Sequence, residues 1–208
     1  MRSFGQQMIR VVLALVLAFA GHTVVAAGDA VAGKALATPC FACHGEDGNA
    51  VLPGTPHLSG QNERYLTRQL QLLKSGDRSA PLMAGQLDAM SEEDLGNLAA
   101  YYASFGPTVR QADDENLDVA AAIYRGGILD KGVAACSACH APDGSGNHLA
   151  GFPRVSGQAL DYTVAQLTAY REERRLTDEE YGGMMRDVAA NLTDNEIRAL
   201  ANYLVGLH

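Results

Sequence analysis

All four cysteines of this 208-residue chain sit in two copies of one pentapeptide, "CFACH" at 40–44 and "CSACH" at 136–140. Cysteines three residues apart, with a histidine directly after the second, fit on one helical turn. Two disulfides would use the thiols and leave both histidines without a purpose. A Cys-x-x-Cys redox pair has no need of the histidine either, and belongs in a βαβ setting. One structural zinc would have to be shared by two equivalent ends of the chain.

The duplication extends well past the cysteines. "GTPHLSGQ" (54–61) matches "GFPRVSGQ" (151–158) at a shift of 97, and "RYLTRQL" (64–70) matches "DYTVAQL" (161–167) at the same shift. "MSEEDLGNLAAYYASF" (90–105) matches "LTDNEIRALANYLVGL" (192–207) at a shift of 102. Two ordered copies of this length predict two domains rather than a solenoid. Residues 28–106 form the expected first domain and 119–208 the second. The polar stretch 107–118, which follows Gly106, reads as the linker. Each domain is small enough that an unaided core is thin, so a cofactor is expected to complete it.

Helical periodicity dominates both copies. Tyr65, Leu66, Gln69, Leu70 and Leu73 share one helix face; Tyr162, Gln166, Leu167 and Tyr170 trace the same face in the second copy. Ser91 with Asp94, and Thr193 with Glu196, predict capping boxes at the start of each copy's last helix, stapled by Met90 and Leu192. A further helix is expected before each cysteine pair, around residues 30–38 and 117–125. No strand is expected, so the fold class is all-α.

The first 27 residues read as an export signal. Arg2 and Arg10 flank an apolar run, and Val25 and Ala27 offer the small-residue exit before Gly28. The alternative is a retained membrane anchor over residues 9–27. Without that segment the chain holds 14 Lys+Arg against 24 Asp+Glu. Such an acidic balance excludes a nucleic-acid binder, which needs a basic footprint, and favours a docking partner with a positive face.

Cys-x-x-Cys-His is the attachment pattern of c-type haem. Two thiols on one turn reach the two vinyl groups as thioethers, and the adjacent ring falls beneath the iron. Cys40, Cys43 and His44 would serve one haem, and Cys136, Cys139 and His140 a second. Equivalent haems should have equivalent sixth ligands. Met83 and Met185 each precede the capping residue of the last helix by eight positions. Met90 aligns with Leu192, Met184 with Leu82 and His57 with Arg154, while His148 has no clear counterpart. Met83 and Met185 therefore become the expected sixth ligands, in keeping with the His/Met ligation of small c-type cytochromes.

With both attachment motifs, "HLSGQ"/"RVSGQ", "YRGG" at 124–127 and the terminal "GLH" in view, the chain from Gly28 onward resembles the dihaem cytochrome c4 family. The resemblance implies two tandem class I cytochrome c domains about a pseudo-two-fold axis, each wrapped around a covalent haem. It implies that Pro56 and Pro153 orient His44 and His140 through their carbonyls. It also implies a periplasmic carrier, not an enzyme, that takes single electrons from a respiratory complex or cytochrome toward a terminal haem–copper oxidase. Peripheral association with the membrane is compatible with that role. His57 stands beside Pro56 where the family suggests a non-ligand residue, and Ala120 stands where it suggests a helix glycine. The competing function is a dihaem peroxidase-like enzyme, which would need one iron with an open sixth position.

Overall fold

The structure, a computed structural model, describes residues 27–208. The expected export segment thus lies almost entirely outside the described residues.

In the first copy α1 (Ala30–Leu36) is capped by Asp29, whose carboxylate accepts from the Val31 and Ala32 amides. A single turn, α2 (Phe41–His44), carries the cysteine motif. Helix α3 (Glu63–Ser75) ends on Gly76 in the left-handed conformation, and α4 (Glu92–Ala103) starts at the expected Ser91–Asp94 capping box. The second copy repeats the order with α5 (Leu117–Gly126), α6 (Ser137–His140) and α7 (Leu160–Arg171). Helix α8 (Met184–Ala189) follows, and then α9 (Asp194–Gly206), which begins at the Thr193–Glu196 capping box. No strand forms among the described residues, only two isolated bridges, Ile128 with Val133 and Asn147 with Phe152.

Each copy buries its own core between its first and last long helices. Leu66, Leu98 and Ala99 centre the first; Ile123, Leu192, Ile197 and Leu200 centre the second. Helices α1 and α4 meet backbone to backbone: a Cβ on Gly33 would stand 1.9 Å from the Asn97 carbonyl oxygen. In the second copy the equivalent packing goes through Ala120, which is fully buried, so a methyl group fits where a glycine was expected.

Candidate haem centres

Both cysteine motifs fold as the turn that their spacing predicts. The four thiols are free and half-buried. Burial pushes the Cys40 thiol up, and pushes Cys136 up to about 11. A redox-active thiol needs the opposite shift, toward thiolate at neutral pH. The surroundings of Cys40 and Cys136 therefore work against the thiolate that disulfide exchange needs.

Each motif histidine is buried and held from behind. His44 Nδ1 lies 3.1 Å from the Pro56 carbonyl oxygen, and His140 Nδ1 lies 2.9 Å from that of Pro153. A carbonyl only accepts, so Nδ1 carries the proton and Nε2 keeps its lone pair. No hydrogen bond among the described residues engages either Nε2. Burial lowers both histidine pKa values, against the opposing pull of the proline carbonyls, which favours the neutral ring that binds a metal. Pro56 and Pro153 are thus the residues whose carbonyls meet the two rings.

The loops between histidine and proline are built alike. The Gly48 carbonyl accepts from the Leu58 and Ser59 amides at 2.7 and 3.2 Å; the Gly144 carbonyl accepts from Val155 and Ser156 at 2.8 and 3.1 Å. The residue after each histidine turns the chain at positive φ. This is Gly45 (φ 75°) in one copy and Ala141 (φ 66°) in the other. Gly45 has no choice, since its Cβ would lie 2.4 Å from the Asn49 carbonyl oxygen.

The two expected sixth ligands sit on unlike supports. Met83 closes a single 3-10 turn, Pro81–Met83, whereas Met185 is the second residue of α8. Both are half-buried. Of the other histidines, His148 and His208 are exposed, and His57 lies at the junction of the two copies. There the Ala50 amide donates to His57 Nδ1 at 2.9 Å, and Arg110 approaches the same nitrogen at 3.3 Å.

That junction is the part sequence reasoning missed. Gln61 brackets the backbone of Arg154: its Oε1 accepts from the Arg154 amide and its Nε2 donates to the Arg154 carbonyl, both at 2.8 Å. Gln158 brackets His57 in the same way, at 2.8 and 3.0 Å. Beneath them Arg78 donates to Tyr162 and Gln69, while Arg175 donates to Tyr65, Gln69 and Gln166. Each partner has its counterpart at the shift of 97, so the contacts form a reciprocal, pseudo-two-fold set. Tyr65 and Gln69 of α3 recur in register as Tyr162 and Gln166 of α7, but that recurrence alone does not say which backbone groups the neighbouring glutamines meet.

The residues present fit a haem in each copy. Two free thiols and an unprotonated Nε2 share one turn. Arg175, only 7% exposed, is a buried charge whose hydrogen-bond partners Tyr65, Gln69, Gln166 and Thr177 are all neutral. A small helical domain with these features is a class I c-type cytochrome, and this chain contains two.

The comparisons with known proteins agree. The profile of the cytochrome c family matches residues 30–105 and again 131–208. Cytochrome c4 of Azotobacter vinelandii is 45% identical, over 88% of this chain and 91% of the relative. The crystal structure of reduced recombinant cytochrome c4 from Pseudomonas stutzeri superposes with a TM-score of 0.84. It is 46% identical, over 88% of this chain and 100% of that one. A more distant relative is the thiosulfate dehydrogenase electron acceptor of Thiomonas intermedia, 33% identical over 81% of this chain and 78% of its own. The chain belongs to the cytochrome c4 family: it is a dihaem electron-transfer cytochrome with two covalently attached haem c groups.

Proposed function

We propose that this protein is a periplasmic one-electron carrier without enzymatic activity of its own. Its place would be in a respiratory chain, between a donor complex or cytochrome and a terminal haem–copper oxidase. Cys40 and Cys43 hold the first haem and Cys136 and Cys139 the second. His44 and Met83 would ligate the first iron, and His140 and Met185 the second. The observation that carries this reading is the pair of histidines whose Nδ1 protons are committed to Pro56 and Pro153, leaving each Nε2 lone pair available to a metal. The bound haem supplies an iron that cycles between ferrous and ferric states, and a thioether ligand favours the ferrous one.

The protein's residues do the rest. The proline carbonyls fix ring orientation and basicity, and the two methionines would supply the remaining iron ligands. The domains run over 28–106 and 119–208, joined by 107–118, after an export signal at 1–27 that is cleaved. No helix among the described residues is long and apolar enough to cross a membrane; a retained anchor over residues 9–27 is the alternative to cleavage. The acidic surface suits a partner with a basic docking face. The Thiomonas relative favours a second reading of the donor as a substrate-oxidising enzyme that delivers electrons directly.

The test is the visible spectrum of the haem-loaded, reduced protein before and after carbon monoxide. An unchanged low-spin spectrum supports two closed irons and electron transfer alone. A marked change at one haem would remove Met83 or Met185 from the ligand set and put the peroxidase-like reading ahead.

A further inference from the structure

The glutamine brackets at the junction do not grip arbitrary backbone. The peptide unit joining Pro56 to His57 has two ends. Its carbonyl accepts the His44 Nδ1 proton, and its N–H donates to Gln158 Oε1 at 2.8 Å. The unit joining Pro153 to Arg154 is used in the same way. Its carbonyl accepts from His140, and its N–H donates to Gln61 Oε1 at 2.8 Å. One conjugated amide therefore links the candidate iron ligand of one domain to a glutamine of the other, and this happens twice, crosswise.

The direction of each glutamine amide is fixed by its surroundings. Gln158 Oε1 also accepts from the Ala159 amide at 2.9 Å, and Gln61 Oε1 from the Asn62 amide at 2.8 Å. Two donors converge on each oxygen, and each Nε2 faces a carbonyl, so a flipped amide would lose every bond. An acceptor at the N–H end of a peptide polarises it and makes its carbonyl oxygen a stronger acceptor. A stronger acceptor behind Nδ1 makes the imidazole a better electron donor at Nε2. A better donor stabilises the ferric state and lowers the reduction potential.

We propose that Gln158 is a positioning residue for the proximal histidine of the first haem, and Gln61 for that of the second, so that each domain sets the potential of the other's iron. The proposal rests on His44 and His140 being the iron ligands. The two settings are unequal. The loop before His140's partner is held further by the first domain: Asn62 Nδ2 donates to the Phe152 carbonyl at 2.5 Å, and Arg64 to that of Leu149 at 2.7 Å. Ala159 and Asp161 occupy the equivalent places in the second domain and return no such bonds. Loss of Gln158 thus leaves its target peptide freer than loss of Gln61 leaves the other. A plain adhesive role for these glutamines would alter stability without choosing which haem responds.

The experiment uses the full haem-loaded protein. Redox titration is followed by the NMR signals of the individual haem methyl groups, with Gln158→Leu, Gln61→Leu and Gln158→Glu compared against the parent. Gln158→Leu, in the second domain, should raise the potential of the first haem. The ferrous-to-ferric ratio at fixed ambient potential should change roughly two- to fivefold, about 18–41 mV at 59 mV per tenfold. The second haem should move less. Gln61→Leu should give the mirror result with a smaller shift. Gln158→Glu keeps the acceptor oxygen and should leave the first haem at or below its parental potential; a rise there overturns the proposal even if the leucine variants fail to mature. Equal shifts at both haems, a shift only in the mutated domain, or no shift overturns it as well. If the parent protein itself lacks two low-spin haems, the ligand assignment has failed instead, and that is seen before any variant is compared.

Discussion

The Tyr124 hydroxyl donates to the carbonyl of Ala141 at 2.6 Å, pinning the residue that directly follows the second motif's histidine. Ala141 has φ 66° and ψ 157°, a region that suits glycine alone. Tyr101 does a similar service in the first copy, donating to the Glu46 carbonyl at 2.8 Å, but there the turn residue is Gly45. Ala141→Gly should therefore stabilise the protein by about 1 kcal/mol, the released strain exceeding the added freedom of the unfolded chain. Denaturant unfolding followed by far-UV circular dichroism checks this. A loss of stability would mean that the alanine methyl makes packing contacts worth more than the strain.

Arg175 predicts a larger loss. Its guanidinium is buried and donates to Tyr65, Gln69, Gln166 and Thr177, bonds to a charged group that span both domains. Arg175→Met should cost about 2–3 kcal/mol. Arg78→Met should cost less, because Arg78 is only half-buried. Thermal unfolding of both variants, each with its haems in place, gives the comparison.

His57 makes the junction sensitive to mild acid. Burial, and next the Arg110 guanidinium, lower its pKa to about 4. A histidine depressed in the folded state takes up its proton more readily when unfolded. Its contribution is therefore complete above about pH 6.5 and declines as pH falls toward 4. His57→Gln should flatten the dependence of stability on pH within that window. Chemical denaturation at pH 7 and pH 5 is the measurement, and a parent protein equally stable at both would contradict it.

At the start of α9, Thr193→Ala should cost about 1 kcal/mol. Burial tends to raise the pKa of Glu196, but hydrogen bonds from Lys131 and Thr193 overcome it and hold it below the ordinary 4.5. A depressed carboxylate stabilises above its unfolded pKa and loses that contribution as pH drops through the folded value. Glu196→Gln should thus weaken the protein at pH 7 and matter progressively less below pH 4.5. Melting curves at the two pH values decide it.

Much of this architecture could be read along the chain. The cysteine motifs, both capping boxes and the long helices depend on residues a few positions apart, and the structure places them as their spacing requires. Leu192 and Ile197 share the second core, as a staple before Thr193 demands. The junction was illegible for a different reason. Gln61 meets Arg154 across 93 positions and Gln158 meets His57 across 101, distances over which no local periodicity operates. Helix α8 also escaped notice: six residues beginning at Met184 are too few to show a face, and the first copy has only a 3-10 turn there.

Gln61 and Gln158 grasp amide and carbonyl groups, and every amino acid except proline offers both. A contact of that kind does not register what side chain it holds. The two positions being grasped have accordingly become a histidine in one copy and an arginine in the other, with the clasp unchanged. After a duplication, such a joint lets the halves diverge in charge while it keeps them aligned. Two electron-carrying units could thus acquire different characters without first evolving a new way of staying together.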